Sequence, residues 1–326
     1  MFEINECAKQ QGAKKCWIST STGQLNYGQQ WQRCHALLEW CNSFGIQQGA
    51  LVLVAVQNEL EQAALLTGLI SIGRAPVLID LDGTLSEVQS ILKDVDYSGI
   101  IAELAFIQKW QLDVSSTPWL KVVAIKKQGT VFGRLLSKKK EDEDVTTWPA
   151  MAENKPETPI LETSSDGLAY LIFTSGTTSK PKGVLISRGA LKSQLEVLQH
   201  EFSIDSNSRL LNVLPMYHAD GFVQGPVSAW AAGATLFRPA HFSATTIQRV
   251  MDSIYKDRIT HMIAVPTMLS LIHRLGIEFA ENFKSSDFKF IVSCAGHLET
   301  ELWTNFESTF SVKICNLYGL TETVTS

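Results

Sequence analysis

The sequence predicts an α/β protein with two mostly parallel sheets flanked by helices. Three observations predict it. Short, nearly continuous apolar runs recur along the chain, as strands buried on both faces require. Stretches of helical periodicity separate those runs. One long charged, proline-bearing stretch divides the series in two. The 326 residues are 45% hydrophobic and 19% charged, which supplies a sizeable core and argues against disorder.

Trp31, Cys34, Leu38 and Cys41 recur at steps of three and four, which marks one helix face, and Gly45 is placed to end that helix. LVLVAV at 51–56 has the form of a buried parallel strand, followed by a helix over about 60–72 and a strand at 75–80. Ser86 with Gln89 forms a capping-box signal that opens a helix over 87–94. Further strands are expected at 100–103 and 121–125. Residues 126–160 change character: three consecutive lysines precede four acidic residues, and Pro149, Pro156 and Pro159 follow. This is the pattern of a solvated connector, and the acidic run argues against a nucleic-acid patch. Strands are then expected at 168–174, 210–214, 234–238, 261–265, 288–295 and 313–318, with helices at about 188–200, 245–256, 267–275 and 299–309. Such strand–helix–strand spacing implies crossovers and parallel pairing. The expected division is 1–160, a first α/β subdomain with its charged connector, and 161–326, a second one.

Several function classes drop out. A net charge of −5 offers no global basicity for nucleic acid or an anionic membrane. The six cysteines, at 7, 16, 34, 41, 294 and 315, form no C-x-x-C pair, so neither a zinc ribbon nor a redox motif is legible. Cys34 and Cys41 are expected as core thiols. The N-terminus lacks a basic region followed by an apolar one. The longest apolar stretch, 63–79, is broken by Arg74 and Pro76, so it reads as helix then strand and not as a membrane span. A reducing, cytoplasmic setting is expected.

The most informative segment runs from Tyr170 to Gly183. An apolar strand leads into Thr174, Ser175, Gly176, Thr177, Thr178 and Ser179, then Lys180, Pro181, Lys182 and Gly183. Hydroxyls and backbone N–H groups in a tight turn make a concave donor surface suited to a polyphosphate, and Lys182 adds a cation. The glycines permit close backbone approach. It is not a Walker A loop, because Pro181 stands where the second glycine should be. A kinase or generic NTPase is disfavoured accordingly.

The segment resembles the signature loop of the adenylate-forming superfamily, T-S-G-T-T-G-x-P-K-G. That superfamily includes acyl-CoA synthetases, firefly luciferase and peptide-synthetase adenylation domains. Ser179 is the one departure, where the pattern has Gly; if that position needs a positive φ, Ser costs roughly 1 kcal/mol. Asn316 to Thr323, with Tyr318, Gly319, Thr321 and Glu322, is similar to the superfamily's Y-G-x-T-E. The resemblance implies that Tyr318 stacks on adenine, Thr321 meets the α-phosphate and Glu322 helps hold Mg²⁺. An aromatic face suits a purine, and a carboxylate beside a triphosphate suits a hard cation. Leu214 to Gly221 resembles L-P-x-[FY]-H-x-x-G of acyl- and aryl-CoA synthetases, which implies that His218 lies near the acyl pocket. Asp220 does not reproduce the F-D-x-S stretch of peptide-synthetase domains, which favours a carboxylate without an α-amine. Ser293 to Leu298 looks like the family turn that borders adenine and the acyl pocket. There Ala295 and Gly296 leave room for a ligand, and His297 replaces the usual Pro.

These pieces occur in the family's order, from about residue 15 to the end. The resemblance implies the fold of the large N-terminal domain of adenylate-forming enzymes, truncated before the lid domain. A T-G-D segment for the ribose and a small lid carrying a lysine continue the family pattern, and neither is among these residues. The implied activity is ATP- and Mg²⁺-dependent activation of a small carboxylic acid as an acyl- or aryl-adenylate. The acyl group would then pass to a thiol, of CoA or of a carrier protein, and would require the missing half of the cage. A non-catalytic nucleotide- or acyl-binding remnant and an amino-acid-activating adenylation domain are the alternatives.

Overall fold

The computed structural model describes residues 4–111, 120–125, 146–148, 150–160, 167–174 and 181–324. Fourteen strands among them fall into two seven-stranded sheets. The chain opens with β1 (Cys16–Thr20) and β2 (Gly23–Asn26), an antiparallel pair. It continues through β3 (Leu51–Ala55), β4 (Ala75–Leu78), β5 (Gly99–Ala102), β6 (Leu120–Ile125), β7 (Thr146–Trp148), β8 (Leu168–Thr174) and β9 (Lys182–Ser187). The last five are β10 (Arg209–Asn212), β11 (Thr235–Arg238), β12 (His261–Ala264), β13 (Phe290–Ser293) and β14 (Ile314–Asn316). One sheet has the order β14-β13-β12-β10-β11-β1-β2, the other β7-β6-β5-β3-β4-β8-β9. The expected two mostly parallel sheets are both present.

The contacts divide the chain differently from the expected cut at residue 160. One compact unit joins residues 1–27 to 186–326, and the other is 28–185. The reason lies in strand pairing. β1 pairs with β11, Ile18 opposite Leu236, which ties the N-terminus to the late strands. β8 pairs with β4, Val77 opposite Leu171, which keeps the phosphate-loop strand with the early ones.

In the unit of 28–185, the helix Tyr27–Ser43 buries Trp31, Cys34 and Cys41 as expected, but Leu37 is buried where Leu38 was expected and Leu38 is half-buried. Burial pushes the Cys34 thiol up to about 12 and Cys41 to about 11, which keeps both protonated and inert. Gly45, at φ 66, takes the left-handed conformation that ends the helix. The helix Leu85–Asp94 is capped two residues earlier than expected. Thr84 Oγ1 accepts from Glu87 N at 3.3 Å, and Glu87 Oε2 accepts from Thr84 N at 2.9 Å. The sequence fits the box in both registers, and the carboxylate at 87 is the stronger acceptor. The supposed connector contains a strand: β7 lies parallel to β6, with Val123 opposite Thr146. The lysine and acidic runs lie outside the described residues. β9 was also not expected. Its backbone at Gly183 lies against β8, where an added Cβ would come within 3.1 Å of Leu171 and 3.3 Å of Phe173.

In the other unit, Trp17, Tyr27 and Trp230 form an aromatic core. Tyr27 stacks on Trp230 at 5.2 Å and Trp17 meets it edge-on at 5.6 Å. Their polar atoms are satisfied, with Trp230 Nε1 donating to Asn5 Oδ1 at 2.9 Å and the Tyr27 hydroxyl 2.7 Å from the Ala234 carbonyl. No helix among the described residues is long and apolar enough to cross a membrane.

Candidate functional site

Three of the four motif segments leave the same edge of the same sheet. Asn212 at the end of β10 is in register with Ile263 of β12, which faces Val292 of β13, which faces Cys315 of β14. The loops beginning at Val213, Cys294 and Leu317 therefore emerge side by side at the carboxyl ends of parallel strands. Ligands of open α/β sheets bind in the crevice outside such ends. The ladder runs slightly past the strands: Cys294 N donates to Ala264 O at 3.0 Å, and Leu317 N to Ser293 O at 2.7 Å. That fixes Ala295 and Tyr318 immediately beyond the sheet.

Tyr318 is 80% exposed, so its ring face is open to a ligand. Gly319 follows, and a 3-10 turn carries Thr321 to Thr323. Thr321 is half-buried and Glu322 exposed. The turn is held by Leu320 N donating to Thr323 Oγ1 at 3.1 Å and by Thr323 N to Leu320 O at 3.0 Å. Ala295 and Gly296 are both exposed, and Ala295 sits at φ 63 in the left-handed region. A Cβ on Gly296 would meet only the Pro266 ring at 3.6 Å, so space does not demand glycine there. His297 and Glu299 are 3.6 Å apart and largely exposed, a weak pair.

The loop after β10 is almost wholly buried, with Leu214, Met216, Ala219 and Phe222 inside and His218 outside. Its path demands glycine at 221, where a Cβ would fall 2.0 Å from the Pro215 carbonyl oxygen. Asp220 links this loop to the next. Gln224 Nε2 donates to Asp220 Oδ1 at 2.6 Å, and the Cys294 thiol, which lies near that carboxylate, donates to the Ala264 carbonyl at 3.5 Å. Burial raises the Asp220 carboxyl above its ordinary range, opposed by Cys294, Gln224 and the nearby His218. Burial and the Asp220 charge push the Cys294 thiol strongly up, so it stays protonated and can donate.

The remaining motif lies in the other unit. Thr174 ends β8, half-buried; Lys182 opens β9, exposed, and Gly183 follows it. Ser175, Gly176, Thr177, Thr178 and Ser179 lie outside the described residues. The strands that end and begin on either side of them, β8 and β9, are neighbours in the sheet. Among the described residues, no three His, Cys, Asp or Glu side chains gather as a metal cage.

Sequence reasoning missed Asn212 and Gln224. Gln224 has no motif to betray it. Asn212 gave one signal, a lone amide inside the apolar run 210–214.

The fold and site bear comparison with known proteins. The family model described as AMP-binding enzyme matches residues 4–326. Over 170 residues the chain is 31% identical to oxalate–CoA ligase of Arabidopsis thaliana, a match covering 51% of this chain and 32% of that one. It is 25% identical over 313 residues to peroxisomal OPC-8:0-CoA ligase 1 of the same plant, covering 94% of this chain and 54% of that one. The solved anthranilate CoA ligase AuaEII, in complex with anthranoyl-AMP, superposes with a TM-score of 0.80 over 98% of this chain and 59% of that one. At 18% identity that likeness shows the fold alone. The chain spans about a third to a half of the length of these curated relatives.

Proposed function

We propose, from the premise that this chain belongs to the family of AMP-binding enzymes, that it is the nucleotide- and acid-binding part of an ATP-dependent acid–thiol ligase. The observation that carries the reading is the convergence of the loops after β10, β13 and β14 on one carboxyl edge, each bearing a motif of that chemistry. The carboxylate oxygen of a small acid attacks the α-phosphorus of ATP, the bond to the bridging oxygen breaks, and pyrophosphate leaves. A thiol, of CoA in the leading reading or of a carrier protein, then attacks the acyl carbon and AMP departs. The named relatives are CoA ligases, which supports the first acceptor. The amino-acid-activating alternative is not favoured over this one.

In this reading the exposed Tyr318 ring takes the adenine, with Gly319, Ala295 and Gly296 bordering it, and Thr321 donates to the α-phosphate. Thr174, the hydroxyl residues 175 and 177–179, Gly176, Lys182 and Gly183 hold the β- and γ-phosphates. His218, the exposed member of a buried loop, meets the acid. Glu322 suits Mg²⁺: that ion accepts one protein carboxylate and completes its shell from phosphate oxygens and water. When bound it would neutralise phosphate charge. A reducing, cytoplasmic setting fits the six free thiols.

The test is acid-dependent ATP–pyrophosphate exchange by the full-length protein across a panel of carboxylic acids. Exchange with at least one acid is expected, and Lys182→Ala should lower it by about tenfold or more. A solvated loop lysine would change it less than about twofold. Nucleotide binding without exchange for any acid would instead favour a non-catalytic binding protein.

A further inference from the structure

Asn212 is fully buried at the end of a strand whose neighbours, Leu211 and Val213, are apolar. A buried amide costs free energy unless both its ends are bonded. Here both are, and both bonds go to one loop. Asn212 Oδ1 accepts from Leu214 N at 3.0 Å, and Asn212 Nδ2 donates to the Asp220 carbonyl at 2.8 Å. Its own carbonyl accepts from Arg238 Nη1 at 2.7 Å, which fixes the strand end from the neighbouring strand. The backbone on the far side packs close: a Cβ on Gly225 would lie 3.6 Å from Asn212 Nδ2. One side chain thus joins the first and last turns of the segment 214–220. Asp220, held at its carbonyl by Asn212 and at its carboxylate by Gln224, cannot shift without breaking both bonds. The residue presented to solvent by the clamped loop is His218.

We propose that Asn212 is a positioning residue: its side-chain amide clamps the loop after β10 and so sets where the His218 ring meets the acid. This rests on the reading of His218 given above. A purely packing role would not need an amide, since a leucine or valine would fill an apolar strand end without two polar atoms to satisfy.

The experiment measures kcat and KM for the acid that best supports exchange, KM for ATP, and thermal melting. Asn212→Ala is made in the full-length wild type and in a His218→Ala background. In the wild type, kcat/KM for the acid should fall by about tenfold or more while KM for ATP stays within about twofold. In the His218→Ala background the same substitution should change kcat/KM less than about twofold, because there is no ring left to position. Equal losses in both backgrounds, or a lower melting temperature with unchanged kinetics, would overturn the proposal. Asn212→Leu fills the same apolar strand end without either polar atom and should give the same pattern, so the proposal stands or falls on it if Asn212→Ala does not fold. If His218→Ala alone leaves kcat/KM unchanged, the reading of His218 fails and the proposal with it. That outcome is distinct from an Asn212 loss that persists without His218.

Discussion

His261 opens β12 with its ring inside the protein, Nε2 donating to the Phe202 carbonyl at 2.9 Å and the ring edge-on to Phe290 at 5.0 Å. Burial first, and Lys289 second, push it down to about 4, against the pull of Phe202 and Asp205. The folded state therefore binds fewer protons than the unfolded chain between the ordinary histidine value and about 4. Its contribution is complete at neutral pH and is lost as pH falls through that window. The lost stability amounts to at most about 3 kcal/mol. Denaturant melts between pH 7 and pH 4 should show this slope, and His261→Asn should flatten it; an unchanged slope would mean that another group titrates there. The same scale shows where the sequence was opaque. The roles proposed for Tyr318, Thr321 and Glu322 come from a motif that names them. Asn212 was not legible, because its meaning lies in which two backbone groups it bonds, and both belong to a loop that doubles back.

The helix cap at Thr84 gives a sharp contrast between neighbouring hydroxyls. Thr84→Ala should destabilise by about 1 kcal/mol, through loss of the bond to Glu87 N, while Ser86→Ala should cost less than about 0.5 kcal/mol. Thermal melting of the two variants checks it, and the reverse ranking would restore the cap read from sequence. A stronger element-scale bond joins the helices Tyr27–Ser43 and Glu59–Ser71. Arg33 Nη2 meets Glu61 Oε1 at 2.7 Å and Arg33 Nε meets Glu61 Oε2 at 3.1 Å, both side chains buried. Glu61→Ala strands a buried guanidinium and should cost about 3–5 kcal/mol in chemical denaturation. A loss below about 1 kcal/mol would mean that water reaches the pair. A strand such as β3 was legible as an unbroken apolar run. β7 was not, because it lies in a stretch dominated by charge. β9 was hidden by its exposure, since only Ile186 of its residues is buried and an edge strand of that kind carries no apolar run.

At the scale of the molecule, the expected boundary and the observed one differ because no local signal announces that β1 will pair with β11. The pattern of strands and helices gave the fold class, and pairing across the chain set the units. Deleting residues 1–27 should therefore damage the later unit and spare the earlier one. Hydrogen exchange is expected to show protection lost around β11 and β10 and retained in β3 and β5. Loss across both units alike would contradict the contact division. The arrangement also has a consequence in time. Ile18 must wait for Leu236 to be made before its ladder can close. At ribosomal speeds of about 5–20 residues per second, that interval is roughly 10–40 s. Throughout it, β1 and β2 leave the ribosome as a lone hairpin with the Trp17 and Tyr27 side chains uncovered, and an isolated two-stranded hairpin is at best marginally stable. Until then the nascent chain carries an unpaired sticky edge, and residues 16–26 are where a holdase would find it.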